Sequence, residues 1–289
     1  MREQAAKVPS ASSTTSVRDA LQSAVTAIAA AGCETPRLDA EVLLAHVLGV
    51  PRERLFTDSR LALAGPAVRA FQDAVRRRSV AREPVAYIVG RRAFRRVELA
   101  VDPRALVPRP ETELLVEAAL DLPAGARVLD VGTGSGAVAL ALKDERPDLR
   151  VSGSDISADA LALAEHNGER LRLSVQWLRS DLLEDVGEFD AIVANLPYVA
   201  LGERDALAPE IVRHEPASAL FAGADGLSAL RALLAQLEQR AEVRFVALEV
   251  GAGQAASVAQ LARAARFDAI RFERDLARIQ RVVIAERHT

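Results

Sequence analysis

The stretch Arg127-Val128-Leu129-Asp130-Val131-Gly132-Thr133-Gly134-Ser135-Gly136 decides how the rest of the chain is read. A mostly apolar run empties into three glycines spaced two apart. Glycine, with no Cβ, lets the backbone turn tightly and lets a ligand come close. The residues from Ala137 onward then follow a helical pattern, so the segment reads as strand, glycine turn and helix, the opening unit of an α/β sheet with a ligand at the strand's carboxyl end. The spacing Gly132-x-Gly134-x-Gly136 is one residue shorter than the dinucleotide fingerprint and suits a pyrophosphate at a helix N-terminus poorly. It suits the zwitterionic tail of a methionine better.

Downstream, apolar strands alternate with helical segments. Strands are expected over residues 127–131, 149–155, 174–180, 189–195 and 243–250, with helices starting at Ala137, Ala158, Leu227 and Gln254. Such alternation predicts a doubly wound, mostly parallel sheet. Two last runs, 269–272 and 281–285, are too close for a crossover helix and predict an antiparallel hairpin at the sheet edge, making seven strands. The second strand ends in Ser154-Asp155-Ile156, where an acid about twenty residues after the glycine turn can accept two ribose hydroxyls. Free ribose hydroxyls belong to both NAD and S-adenosylmethionine. The third strand ends in Ser180-Asp181-Leu182, a carboxylate suited to an adenine amino group beside an apolar side chain that can cover the ring. Helix capping or loop solvation is the plainer role for both acids. Glu249-Val250-Gly251 closes the fifth strand and either borders the cofactor or caps the sheet, and Trp177 in the third strand reads as packing.

The fourth strand ends in Asn195-Leu196-Pro197-Tyr198, at the edge where open α/β sheets bind ligands. An amide nitrogen is a poor nucleophile because its lone pair is delocalised, so an enzyme that alkylates one must aim it. The Asn195 side-chain oxygen and the Leu196 main-chain oxygen supply two acceptors for an NH2 group. Pro197 holds Leu196 extended, and Tyr198 offers a flat face to the acceptor.

Val107-Pro108-Arg109-Pro110-Glu111-Thr112-Glu113, the Gly132–Gly136 loop, Asn195–Tyr198, His214-Glu215-Pro216-Ala217-Ser218-Ala219-Leu220 and Gly223-Ala224-Asp225-Gly226-Leu227 together resemble the HemK-type glutamine-N5 methyltransferases. The resemblance runs from about Asp19 to Val283 and includes Pro36-Arg37-Leu38-Asp39-Ala40-Glu41. It implies a class I S-adenosylmethionine methyltransferase fold and methylation of the glutamine in the Gly-Gly-Gln motif of class-I peptide chain release factors, with a helical N-terminal domain helping to hold the factor. By resemblance Gly132, Thr133, Gly134, Ser135, Gly136, Asp155, Ile156, Asp181, Leu182 and Asn195 bind the cofactor, and Asn195, Leu196, Pro197 and Tyr198 bind the glutamine amide and carry catalysis. Three departures stand out. Leu196 replaces the usual first proline of Asn-Pro-Pro-Tyr; Arg95 and Leu99 stand where Gly and Phe are common; and Asp275-Leu276-Ala277-Arg278 replaces Asp-Leu-Ala-Gly. Asn-Leu-Pro-Tyr is itself similar to the acceptor turn of ribosomal-RNA adenine dimethyltransferases.

Upstream, Ser16 with Asp19 three residues on reads as an N-cap, Pro36 opens a second helix that Gly49 and Pro51 stop, and a third runs from about Pro66 to Val80. Residues 1–15 are expected to be a disordered tail, 16–82 a helical domain that recognises the substrate, 83–109 a β-hairpin linker built on the runs 85–89 and 97–101, and 110–289 the methyltransferase domain. The chain's 289 residues, net charge of −3 and single cysteine suit a reducing, cytoplasmic setting with no disulfide framework. No apolar run is long enough to span a bilayer, and His46, His166, His214 and His288 are too dispersed for a metal. Arg76–Arg78, Arg82, Arg91, Arg92, Arg95, Arg96, Arg104 and Arg109 make the middle of the chain basic, which allows contact with nucleic acid but reads more plainly as a solvated, ion-paired surface. Three other readings stand beside the main one. They are an adenine-N6 methyltransferase on RNA or DNA, a glutamine methyltransferase acting on a ribosomal protein, and a cofactor-binding protein whose turn Leu196 has spoiled. Hydride transfer with a nicotinamide is disfavoured by the glycine spacing.

Overall fold

The computed structural model describes residues 15–58 and 60–288. The chain separates into two compact units, one ending at Val89 and one beginning at Gly90. In the first, the Ser16 hydroxyl accepts from the Asp19 amide at 3.1 Å and so caps α1 (Val17–Ala30). Pro36 occupies the first turn of α2 (Pro36–Leu48), which Gly49 closes in the left-handed region at φ 63°. A single turn, α3 (Arg54–Thr57), precedes α4 (Pro66–Ser79) and α5 (Val85–Val89). Thr15, the last residue of the expected tail, forms with Ser16 a short strand β1 (Thr15–Ser16) paired to β2 (Ala62–Leu63); residues 1–14 of that tail lie outside the described residues. The helices bury Ile28, Leu43, Leu44, Leu63 and Phe71 in one core, each worth roughly 1.5–3 kcal/mol. Within it Arg78 donates to Asp39 at 2.6 Å, both side chains less than a tenth exposed. Separating such a pair would leave a buried charge uncompensated.

The run 85–89, expected as a strand, is helical. Its residues favour strands by composition, but the amides of Tyr87 and Ile88 bond back to the Pro84 carbonyl at 3.0 and 3.1 Å, and Ile88 completes the helical core. Burial against α2 and α4 overrides β propensity where no partner strand exists. The hairpin is formed instead by β3 (Arg91–Phe94) and β4 (Val97–Ala100), in the second unit.

That unit continues with α6 (Glu113–Ala119), β5 (Arg127–Val131), α7 (Ala137–Glu145), β6 (Arg150–Asp155), α8 (Ala158–Leu171), β7 (Gln176–Arg179), β8 (Ala191–Ala194), α9 (Pro209–His214), α10 (Ser228–Leu237), β9 (Phe245–Glu249), α11 (Ala255–Ala264), β10 (Ala269–Arg274) and β11 (Gln280–Glu286). The seven-stranded sheet has the order β7-β6-β5-β8-β9-β11-β10. Its strands are parallel from β7 to β9, and β11 is antiparallel to both neighbours, as the short connection demands. Strand β5 pairs with β6 on one side and β8 on the other, so the strand order reverses there and leaves a crevice beyond the carboxyl ends. Leu129, Val131, Ile192, Val246 and Leu248 face Leu230, Leu233 and Val258 in the core beneath it. Two departures from the family pattern fall at tight turns, where Arg95 and Arg278 take φ of 50° and 65°. A side chain strains that region and glycine does not, by about 1 kcal/mol. Arg95 recovers the cost by donating to Glu145 at 2.5 Å and Glu117 at 2.8 Å. No helix among the described residues is long and apolar enough to cross a membrane.

Candidate active site

At the switch point lies a cleft of about 290 Å³, floored by Gly132, Thr133, Gly134 and Ser135 and bordered by Asp155, Ile156, Asp181, Leu182, Asn195, Leu196 and Pro197. Eleven of the residues predicted from the sequence thus converge on one cavity. Two do not line it. Gly136 sits behind the turn against Trp177, Leu140 and Ala164, and Tyr198 turns its hydroxyl inward to Glu249 at 3.2 Å.

The glycine turn is shaped by its neighbours as much as by any ligand. Gly132, Gly134 and Gly136 have φ of 72°, 57° and 81°. A Cβ on Gly132 would meet Leu196 Cδ2 at 2.9 Å, and one on Gly136 would meet Trp177 at 3.0 Å, whereas one on Gly134 would meet only Ala105 at 3.8 Å. Gly134 therefore presents open backbone to the cleft. Its amide donates to Asp155 Oδ2 at 3.0 Å, and Asp155 Oδ1 accepts from the Ser157 amide at 2.9 Å. These two bonds fix the acid at the lip of β6 with lone pairs left for further donors. Beneath the turn, buried Asp130 accepts from the Thr133 hydroxyl at 2.6 Å and the Ala139 amide at 3.2 Å. Burial pushes its carboxyl up to about 7 against the pull of those two bonds. Leu182 takes φ 53°, and its side chain packs half-buried on the core.

The opposite wall comes from the Pro-Arg-Pro-Glu-Thr-Glu and His-Glu-Pro-Ala-Ser segments. Pro108, Arg109 and Thr112 face Pro216, Ser218 and Ala219. Arg109 donates to both oxygens of Glu215 at 2.7 Å, joining two motifs that stand 106 residues apart. Glu215 is nonetheless raised above the usual carboxylate range, because burial outweighs the Arg109 charge. Asn195 Nδ2 donates to Thr112 Oγ1 at 3.0 Å. Leu196 buries its side chain in the sheet core, so the residue that replaces the usual proline serves packing. Gln254 Nε2 donates to the Tyr198 carbonyl at 2.9 Å and holds the turn from below. Thr112, Arg109, Glu215 and Gln254 carry no role in the sequence reading. Thr112, Arg109 and Glu215 stand in the quoted motifs, but pairings across 83 and 106 residues could not be read from spacing, and Gln254 lies outside those motifs, 56 residues from the Tyr198 carbonyl it holds.

The basic stretch is largely neutralised within each unit. Arg76, Arg77 and Arg78 pair with Asp73, Glu83 and Asp39, and Arg91, Arg95, Arg104 and Arg109 pair with Glu98, Glu145, Asp102 and Glu215. Paired charges cast a weak field for a polyanion.

A parallel sheet with an antiparallel edge hairpin, and a glycine-turn cleft at its switch point, define a class I S-adenosylmethionine-dependent methyltransferase. Residues 19–90 match the PrmC N-terminal domain and residues 110–227 the methyltransferase small domain. The chain is 40% identical over 264 residues to the release factor glutamine methyltransferase of Rhodospirillum rubrum, covering 89% of this chain and 81% of that one. It is 41% identical over 273 residues to that of Xylella fastidiosa, covering 91% and 98%. A solved methyltransferase from Pyrococcus furiosus shares the fold, with a TM-score of 0.51 at 16% identity over 66% of this chain and 89% of that one. The chain belongs to the release factor glutamine methyltransferase family.

Proposed function

We propose that the chain transfers a methyl group from S-adenosylmethionine to the side-chain amide nitrogen, N5, of the glutamine in the Gly-Gly-Gln motif of class-I peptide chain release factors. One observation carries this reading. Asn195 stands at the edge of the cleft with its amide pinned by Thr112, in a chain whose relatives are named for that substrate.

The residues present fit the cofactor. Gly134 offers open backbone for the methionine end, Asp155 is fixed at the lip for the ribose, and Asp181 and Leu182 border the far end for adenine. When bound, S-adenosylmethionine supplies an electrophilic methyl carbon. The protein's own part is to place the acceptor. With Nδ2 committed to Thr112, Asn195 keeps Oδ1 for one N–H of the incoming carboxamide, and the Leu196 carbonyl serves the other. Gripping both hydrogens aims the nitrogen lone pair along the line of attack, and orientation of this kind accounts for about 7–11 kcal/mol of a barrier. No base is required beforehand, since the alkylated nitrogen turns acidic and loses its proton after transfer. A release-factor substrate and the lone buried Cys33 support a cytoplasmic setting.

Mass spectrometry of a Gly-Gly-Gln release-factor peptide, incubated with the protein and cofactor, is expected to show a gain of one methyl on glutamine. Asn195→Ala is expected to lower turnover by about 100-fold while cofactor affinity stays within a few-fold. Unchanged turnover in this variant would sink the assigned role.

A further inference from the structure

We propose that Glu249, acting through Thr112, is a positioning residue that decides which end of the Asn195 amide faces the cleft. The proposal rests on the glutamine reading above and deepens it. An asparagine amide has an oxygen and a nitrogen of nearly equal shape, so its orientation comes from its partners. Nδ2 donates to Thr112 Oγ1 at 3.0 Å. Thr112 is buried and has a single hydroxyl hydrogen, so while it accepts from Asn195 that hydrogen must go elsewhere. Glu249 lies behind it at the end of β9, 1% exposed. Its Oε1 accepts from the Tyr198 hydroxyl at 3.2 Å. Glu249 Oε2 is buried with no hydrogen-bond partner among the described residues, an acceptor left open, and the Thr112 side chain helps to pull the carboxyl's pKa down. An ionised carboxylate only accepts. Both hydroxyls are therefore drawn to donate toward Glu249, and the chain Asn195 to Thr112 to Glu249 acquires one direction. Oδ1 of Asn195 is then the atom left for the cleft, where a carboxamide NH2 needs an acceptor. Reversing the Thr112 hydroxyl would flip the amide and set one NH2 against another.

The groups that bear on Glu249 are Thr112, Tyr198, Glu111 and Arg281. Burial dominates them and pushes the carboxyl up to about 7, with the Glu111 charge adding to the rise and Thr112, Tyr198 and Arg281 opposing it. Protonated, Glu249 becomes a donor and the direction is lost. Turnover is thus expected to fall as the pH drops through about 7, although amide methylation itself consumes no titrating base.

Steady-state methylation of a release factor by the wild type, Glu249→Gln, Thr112→Val and Thr112→Ser, between about pH 6 and 9, tests this alongside calorimetric titration with S-adenosylmethionine. Glu249→Gln and Thr112→Val are expected to lower kcat roughly tenfold at the alkaline end, the scale of one lost oriented hydrogen bond, with cofactor affinity within about twofold. Thr112→Ser restores most of what Thr112→Val loses, and Glu249→Gln loses the limb near pH 7. The proposal is overturned if both variants keep wild-type kcat, if serine fails to restore it, or if the limb persists without Glu249. A wild type that binds cofactor but never methylates glutamine would instead overturn the functional reading, and this proposal with it.

Discussion

Gly226 has φ 72°, and a Cβ placed on it would lie 2.2 Å from the Tyr198 carbonyl oxygen and 2.8 Å from Gln254 Nε2. The backbone of the Gly-Ala-Asp-Gly-Leu segment therefore presses directly on the Asn195–Tyr198 turn. The same Gln254 nitrogen holds the Tyr198 carbonyl in place. Gly226→Ala must displace one of the two, and both position the turn. The variant is expected to lose about 1–3 kcal/mol of stability and to lose turnover more steeply than stability. Gly65→Ala, also at positive φ but with open space around it, should show strain alone. Thermal melting and methyl-transfer rates on the pair would separate the effects, and equal turnover losses would contradict the argument. The motif was legible in the sequence; that its glycine faces a carbonyl was not, because a close approach between segments leaves no spacing to read.

Among the elements, α8 ties the hairpin to the glycine turn through one side chain. Asn167 is fully buried. Its Oδ1 accepts from the Ala100 amide at 2.7 Å, and its Nδ2 donates to the carbonyls of Ala100 and Ser135, each at 3.0 Å. Asn167→Ala leaves three backbone groups without partners and is expected to cost about 3 kcal/mol or more, read as a lowered denaturation midpoint in urea. A loss under about 1 kcal/mol would show that water replaces the side chain. Elements were the most legible level. The strands β5 to β9 and the edge hairpin fall within a few residues of their predicted places, because alternation of apolar runs with amphipathic ones is a local signal. Residues 85–89 were misread because a short β-branched run carries no periodicity, and only packing decides its state.

At the scale of the whole second unit, two carboxyls sit where charge is costly. Asp130 and Glu249 are both pushed up to about 7 by burial, from ordinary values of 3.8 and 4.5. The folded chain therefore keeps protons that the unfolded chain has already released. Their contribution to stability is complete below about pH 4 and is lost as the pH rises through 7. Each pKa unit corresponds to about 1.4 kcal/mol. The melting temperature is accordingly expected to be several degrees lower at pH 8.5 than at pH 6, and Asp130→Asn should shrink the difference. Equal melting at the two pH values would refute it. The site was legible as a set of residues, since the turns after β5, β6, β7 and β8 converge by topology alone. What lay outside reach was its wiring, Thr112 to Asn195 and Arg109 to Glu215, which depends on side chains brought together from distant stretches.

The contact of Leu196 with Gly132 ties the fates of two positions that belong to different motifs. A side chain introduced at Gly132 would have to displace Leu196 from the core and also adopt the left-handed backbone, so shrinking Leu196 relieves only the first of the two penalties. Laboratory evolution of the donor pocket is therefore expected to leave Gly132 untouched even where the codon for Leu196 drifts.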